Sequence, residues 1–266
     1  MTSSADKLTV LLRTLKLPSF NAQYEDVARH AERDGWTFAR YLMQLAEAEI
    51  EDRKARRIER LLRQSGLPKG KTLATLDQKR LPAKVRRQLL TLCDGGFVQR
   101  AENVLAFGLP GRGKTHCLAA IGHELVQRGY EVLFRPAFAI VQRLLAAKRD
   151  LSLERELRRL DRYQVVILDD IGYVQQDREE MEVLFTLLAE RYERRSVMIT
   201  SNLVFSQWDQ VFKDAMTTAA AIDRVVHHSV ILELTGDSYR TEAAQKRNAK
   251  DSTTKKGKSC STTKST

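Results

Sequence analysis

Residues 108–115 read Gly-Leu-Pro-Gly-Arg-Gly-Lys-Thr and fit the pattern G-x-x-x-x-G-K-[ST]. They follow a short apolar run and open a helical stretch, which is the context that gives the pattern meaning. Glycines at 108, 111 and 113 let the loop turn its N–H groups inward toward phosphate. The helix that starts at about Gly113 adds its positive end. Lys114 can then reach β- and γ-phosphates, and the Thr115 hydroxyl can bind Mg²⁺. The candidate nucleotide cradle is Gly108, Leu109, Pro110, Gly111, Arg112, Gly113, Lys114, Thr115 and His116.

Further along, Val165–Leu168 is an apolar run that ends in Asp169-Asp170. A buried strand ending in an acid delivers a carboxylate to the C-terminal edge of a parallel sheet, where a phosphate loop also opens. Asp169 is expected to hold Mg²⁺, and Asp170 to orient or deprotonate the attacking water. A third run, Val197–Thr200, ends in Ser201-Asn202. With its strand lying between the phosphate loop and the acidic strand, Asn202 is the first choice to reach the γ-phosphate and the water, and Thr200 the second. Asp223-Arg224 lies ahead of the last apolar run; Arg224 suits an arginine finger acting on a neighbouring subunit, or else a surface ion pair with Asp223. Arg240 is a weaker candidate for a similar role. His227-His228 has no Cys or acid partner at metal-ligand spacing, so no metal site is expected there.

These residues need a frame. Five short apolar runs (104–107, 132–134, 165–168, 197–200 and 230–234) alternate with helical segments. That alternation predicts βαβ units and a parallel five-stranded sheet flanked by helices, an α/β fold. Ahead of it the chain reads as helix alone. Leu8, Leu11, Leu12 and Leu15 form one stripe, and helices are expected at about 19–32 and 37–64, the last spanning roughly 40 Å. Thr37 is its N-cap. On this third helix Arg53, Arg56, Arg57 and Arg60 lie along one side. They are either a phosphate-contacting stripe or a solvated face with Glu49–Arg53 and Asp52–Arg56 ion pairs. The chain is therefore expected to divide into a helical DNA-binding and assembly domain (1–67), a linker with a leading helix (68–99), an ATPase core (100–242) and a disordered basic tail (243–266).

Lys and Arg number 45 against 34 Asp and Glu, a net charge of +11. An anionic partner, nucleic acid or a membrane surface, follows from such an excess. From Lys246 on, seven basic residues stand against one acid, so the tail carries a large part of it. No apolar run approaches the ~18 residues of a membrane span, nothing resembles a signal peptide, and Cys93, Cys117 and Cys260 form no disulfide or metal framework. A cytoplasmic protein without a membrane partner is expected.

The chain resembles the IstB-like ATP-binding proteins, helpers encoded by a class of bacterial insertion sequences. The likeness runs from Leu8 to Arg240. It rests on GLPGRGKTH, VVILDDIGYV, the run Leu188–Arg194, ITSNLVFSQW, IDRVVHHS and GDSYR. It implies a P-loop NTPase core of the AAA+ kind, close to helicase loaders and replication initiators. It also implies ATP with Mg²⁺, self-assembly into a homo-oligomer on double-stranded DNA, and delivery of target DNA to the transposase of the same element. By the resemblance Lys114, Thr115 and Asp169 take the nucleotide and metal roles, Asn202 the sensor role and Arg224 the finger role. Two features depart from it: Asp170 stands where many relatives carry Glu, and the chain after Leu234 is short for a helical lid. A replicative helicase loader is the alternative with the same core. An ATP-dependent clamp without useful turnover is another, and a small-molecule kinase a distant one.

Overall fold

The structure, a computed structural model, describes residues 4–173, 178–203, 223 and 225–235. Two compact units divide it, Met1–Arg60 and Leu61–Thr266.

The first unit is built from α1 (Ser4–Thr14), α2 (Pro18–Arg33) and most of α3 (Phe38–Ser65). Pro18 opens α2, as suits a residue with no N–H to lose in the first turn. At the head of α3 the Thr37 hydroxyl accepts from the Arg40 N–H at 3.3 Å, the expected cap. Leu12 and Leu45 are its buried apolar side chains, while Leu8, Leu11 and Leu15 of the anticipated stripe lie exposed. A buried carboxylate supplies much of the organisation. Glu49 accepts from the Ser19 N–H at 2.8 Å and from Arg53 Nε at 2.7 Å. Burial pushes its carboxyl upward, but the bonds from Arg53 and Ser19 outweigh that and hold it below the ordinary range.

Unit two carries the sheet. Its strands are β1 (Asn103–Phe107), β2 (Val132–Pro136), β3 (Val165–Asp169), β4 (Ser196–Ser201) and β5 (Ser229–Glu233). All pairings are parallel, in the order β2-β3-β4-β1-β5. The central strands β1 and β4 are buried throughout, and their apolar stretches Val104–Phe107 and Val197–Ile199 suit strands covered on both faces. On one face pack α7 (Ala137–Arg149) and α9 (Arg178–Arg191), with Leu144, Leu184 and Leu187 against Leu105, Val166, Leu168 and Ile199. On the other lie α6 (Lys114–Gln127) and α4 (Ala83–Cys93). Short helices α5 (Gly96–Gln99) and α8 (Leu153–Asp161) complete the described set. Cys93 and Cys117 are free and buried, and burial pushes their thiols up to about 11 and about 12. At neutral pH both are therefore protonated packing residues, not nucleophiles.

At the opposite end of the strands from the phosphate loop, Arg191 is 2% exposed. Its guanidinium donates to the carbonyls of Leu160 (3.1 Å), Tyr163 (2.9 Å), Gln164 (3.3 Å) and Ser196 (3.1 Å). One side chain thus joins the ends of α8 and α9 to the start of β3 and β4. Burial lowers its pKa to about 10, which still leaves it charged at neutral pH. Replacing it with Met keeps the apolar stem but strands four carbonyls. Arg191→Met is expected to lose about 3–5 kcal/mol of stability, read from the urea midpoint of the full chain. A loss below about 1 kcal/mol would show that water replaces the guanidinium there.

Candidate active site

The phosphate loop leaves the end of β1 at Gly108. Here φ is +150°, and a Cβ would come within 2.4 Å of the Leu234 carbonyl oxygen, so only glycine fits. Gly113, at φ +86°, caps α6 in a left-handed conformation that side chains resist. The next two residues then project from the first turn of a buried helix. Lys114 is 7% exposed. Its ammonium donates to the Gly108 carbonyl (2.7 Å), the Leu109 carbonyl (3.1 Å) and Asn202 Oδ1 (2.6 Å). Thr115 donates its hydroxyl to Asp169 Oδ1 at 2.8 Å.

Strand order explains this convergence. β4 lies between β1 and β3, so residues at its end fall between the loop and the acids. Thr200 Oγ1 donates to the same Asp169 Oδ1 at 2.8 Å and accepts the Asp170 N–H at 2.7 Å. Asn202 Nδ2 donates to Asp170 Oδ1 at 3.1 Å. The hydrogen-bond chain is continuous: Lys114, Asn202, Asp170, Thr200, Asp169, Thr115. Asp170 sits at φ +63°, an uncommon conformation for a residue with a Cβ, though Asp tolerates it better than most. The chain reverses there, which lets the carboxylate turn back to Asn202.

Of the residues anticipated from sequence, Lys114, Thr115, Asp169, Asp170 and Asn202 meet at one sheet edge. Asn202 and Thr200 were alternatives for one task; they occupy two, one bonded to Lys114 and Asp170, the other to Asp169 and Asp170. His116 turns away from the loop interior. Its Nε2 donates to the Thr72 carbonyl and lies beside the Thr75 hydroxyl, both at 3.1 Å, and His123 Nε2 donates to the Pro68 carbonyl at 3.1 Å. Residues 67–75 therefore run as a strap along α6, with Leu67 buried beneath. Those histidine contacts carried no signal in the sequence. Arg224, Arg240 and the tail lie outside the described residues.

On α3, Arg53 is committed within its own unit: Nε pairs with Glu49 and Nη2 donates to the Lys16 carbonyl at 2.7 Å. The anticipated Asp52–Arg56 pair is replaced. Asp52 accepts the Ser19 hydroxyl at 2.6 Å, and Arg56 bonds the Asp52 carbonyl and reaches Glu49 at 3.5 Å. The reason is that buried Glu49 and Ser19 offer each of these side chains another partner. Arg56, Arg57 and Arg60 stay exposed.

A parallel sheet ordered 2-3-4-1-5, with a glycine loop after β1 and a carboxylate after β3, defines a P-loop ATPase of the AAA+ class. The chain belongs to the IstB-like ATP binding protein family, whose match spans residues 10–249. At the level of that family it is an ATPase of transposition. It is 42% identical to an insertion sequence ATP-binding protein of Sinorhizobium fredii over 239 residues, 90% of this chain and 80% of the relative. Identity to the IS21 ATP-binding protein of Pseudomonas aeruginosa is 37%, over 90% of this chain and 91% of that one. Among solved structures, DnaI aligns with a TM-score of 0.54 at 20% identity, over 64% of this chain and 95% of DnaI. AMPPCP-bound DnaA from Aquifex aeolicus aligns at 0.52 and 19%, over 70% and 56%. At such identities these two likenesses concern the fold.

Thr200 offers the cleanest separation of position from binding. Thr200→Val keeps the shape but removes one donor to Asp169 and the acceptor for the Asp170 N–H. ATP turnover is expected to fall about 10- to 100-fold while nucleotide affinity changes little. Thr200→Ser is expected to stay near wild type. Steady-state phosphate release and equilibrium nucleotide binding check both, and equal losses in kcat and affinity would contradict a positioning role.

Proposed function

We propose that this chain is the ATP-hydrolysing helper of an insertion sequence. It assembles as a homo-oligomer on double-stranded DNA and presents target DNA to the transposase of the same element. One observation carries the ATPase half of the reading: the unbroken hydrogen-bond chain from Lys114 to Thr115 through the acids of β3. The family match and relatives named for insertion sequences support the transposition half, and they favour it over a helicase loader.

The donor set fits Mg²⁺. Thr115 and Asp169 supply a hydroxyl and a carboxylate oxygen 2.8 Å apart, hard donors of the kind this ion takes alongside water and phosphate. When bound, Mg²⁺ neutralises charge on the β- and γ-phosphate oxygens. Lys114 turns its three donors from loop carbonyls and Asn202 to the phosphates, a far stronger acceptor set. Release of Asn202 from Lys114 leaves its amide NH₂ on Asp170. Asp170 then orients the water for in-line attack and accepts its proton. Because its side chain is one methylene shorter than Glu, slow turnover is expected. Gly108 to Thr115 form the cradle, with His116 turned to the 67–75 strap instead, and Arg224 of a neighbouring subunit serves as the finger that completes charge neutralisation.

For DNA, exposed Arg56, Arg57 and Arg60 are the proposed phosphate contacts on α3, within a domain spanning 1–67. Arg53 contributes by holding α3 to the end of α1. The net charge of +11 supports an anionic partner, and no described helix is long and apolar enough to cross a membrane.

Two outcomes test this reading. Lys114→Ala is expected to abolish ATP binding in a fluorescent-nucleotide titration; retained micromolar affinity would place the nucleotide elsewhere. Arg56→Glu with Arg57→Glu is expected to weaken duplex binding and lower the log–log salt slope by about two, near 0.9 per lost phosphate contact. An unchanged slope would return these arginines to a solvated face.

A further inference from the structure

At the sheet edge opposite the phosphate loop, the chain brings together a group that is scattered in sequence. Glu193 lies in the turn between α9 and β4, and His227-His228 in the turn that enters β5. Sequence spacing gave the histidine pair no acidic partner. The fold supplies one: ligand atoms of Glu193, His227 and His228 all lie within 4.8 Å of one another. His228 Nε2 is 3.4 Å from a Glu193 carboxylate oxygen. The two imidazoles meet edge to face, centroids 4.3 Å apart. Beside them, the Tyr192 hydroxyl is 3.3 Å from His227 Nδ1.

The backbone under this group is fixed although the side chains are exposed. Asn103 donates its N–H to the His228 carbonyl (2.7 Å) and its side-chain amide to the Val225 carbonyl (3.2 Å), while its Oδ1 accepts from the Val197 N–H (2.9 Å). Asn103 thereby ties the histidine turn to β1 and β4. Glu193 is held just past buried Arg191, at φ +54°, a conformation that Glu seldom adopts. The nearby cations are engaged elsewhere: Arg194 and Arg195 with Asp161, and Arg100 with Glu102.

We infer that Glu193, His227 and His228 form a site for a divalent transition ion of the Zn²⁺ type, separate from the nucleotide's Mg²⁺. Two imidazoles and one carboxylate are a borderline N/O set that suits zinc and disfavours magnesium. With metal–ligand bonds of about 2.0–2.2 Å, tetrahedral ligands stand roughly 3.3–3.5 Å apart, so the His228–Glu193 edge is already at that spacing. No edge exceeds 4.8 Å, so none has to close by more than about 1.5 Å, within the rotamer freedom of exposed side chains. Three protein ligands leave a fourth position for water, or for Tyr192. Such an ion clamps the α9–β4 turn to the turn entering β5. In sequence that second turn comes two residues after Asp223-Arg224, the proposed finger.

An ordinary Glu193–His228 surface ion pair would show the same contact but bind no metal, which makes the distinction measurable. Untagged full-length protein is titrated with ZnCl₂ by calorimetry in excess Mg²⁺. One equivalent is expected to bind at low micromolar Kd or tighter. His228→Ala, His227→Ala and Glu193→Gln are each expected to weaken it at least tenfold, with ATP affinity unchanged as the check on folding. No binding by wild type at about 100 µM Zn²⁺, or wild-type zinc affinity in all three variants, would overturn the site.

Discussion

Asp169 Oδ1 accepts two hydroxyls at once, from Thr115 on the helix after β1 and from Thr200 at the end of β4. That shared acceptor fixes how the three central strands present their ends, because each hydroxyl belongs to a different element. Parallel register brings the strand ends to one edge. The hydroxyls and Asn202 then set the side chains to within a hydrogen bond of one another. With β4 in the middle, the loop and the acids stand one strand spacing, about 4.8 Å, further apart than on adjacent strands, and Thr200 and Asn202 at its end fill that gap. Sheet order is therefore a chemical requirement of the site as well as a consequence of βαβ folding.

The two ends of the sheet are built on different principles. At the phosphate end, polar side chains bond to each other in a chain that is open to rearrangement, since each partner is itself a donor or acceptor that phosphate or metal can replace. At the far end, Arg191 and Asn103 bond backbone groups. Those contacts have no alternative partner and make a rigid base. A site that exchanges ligands thus stands on a frame that does not. The strap of residues 67–75 belongs with the first kind: His116 and His123 attach it to α6 through single hydrogen bonds.

Much of this was legible in the sequence, and the reasons are specific. Strand positions followed from apolar runs that the buried central strands require on both faces. The phosphate loop followed from glycines whose left-handed or crowded backbone admits little else. Asp169 followed from its place at a strand end, and Thr37 from cap chemistry. What escaped depended on contacts between distant residues. Nothing marks Arg191 as buried within an exposed-looking Glu/Arg-rich run. The strap's histidines bond to backbone carbonyls, which any sequence possesses. Leu8, Leu11 and Leu15 keep helical spacing yet stay exposed, because spacing records a face and not what covers it. Glu193 joins His227-His228 only through the order of strands β4, β1 and β5.

The central claim is that Thr115 and Asp169 together hold the metal of a magnesium nucleotide, and it is open to direct measurement. Affinity for a non-hydrolysable ATP analogue is followed against Mg²⁺ concentration in wild type and in Asp169→Asn. Mg²⁺ is expected to tighten binding in the wild type and to have little effect in the variant, with metal-free affinities alike. The same Mg²⁺ dependence in both proteins would contradict the account.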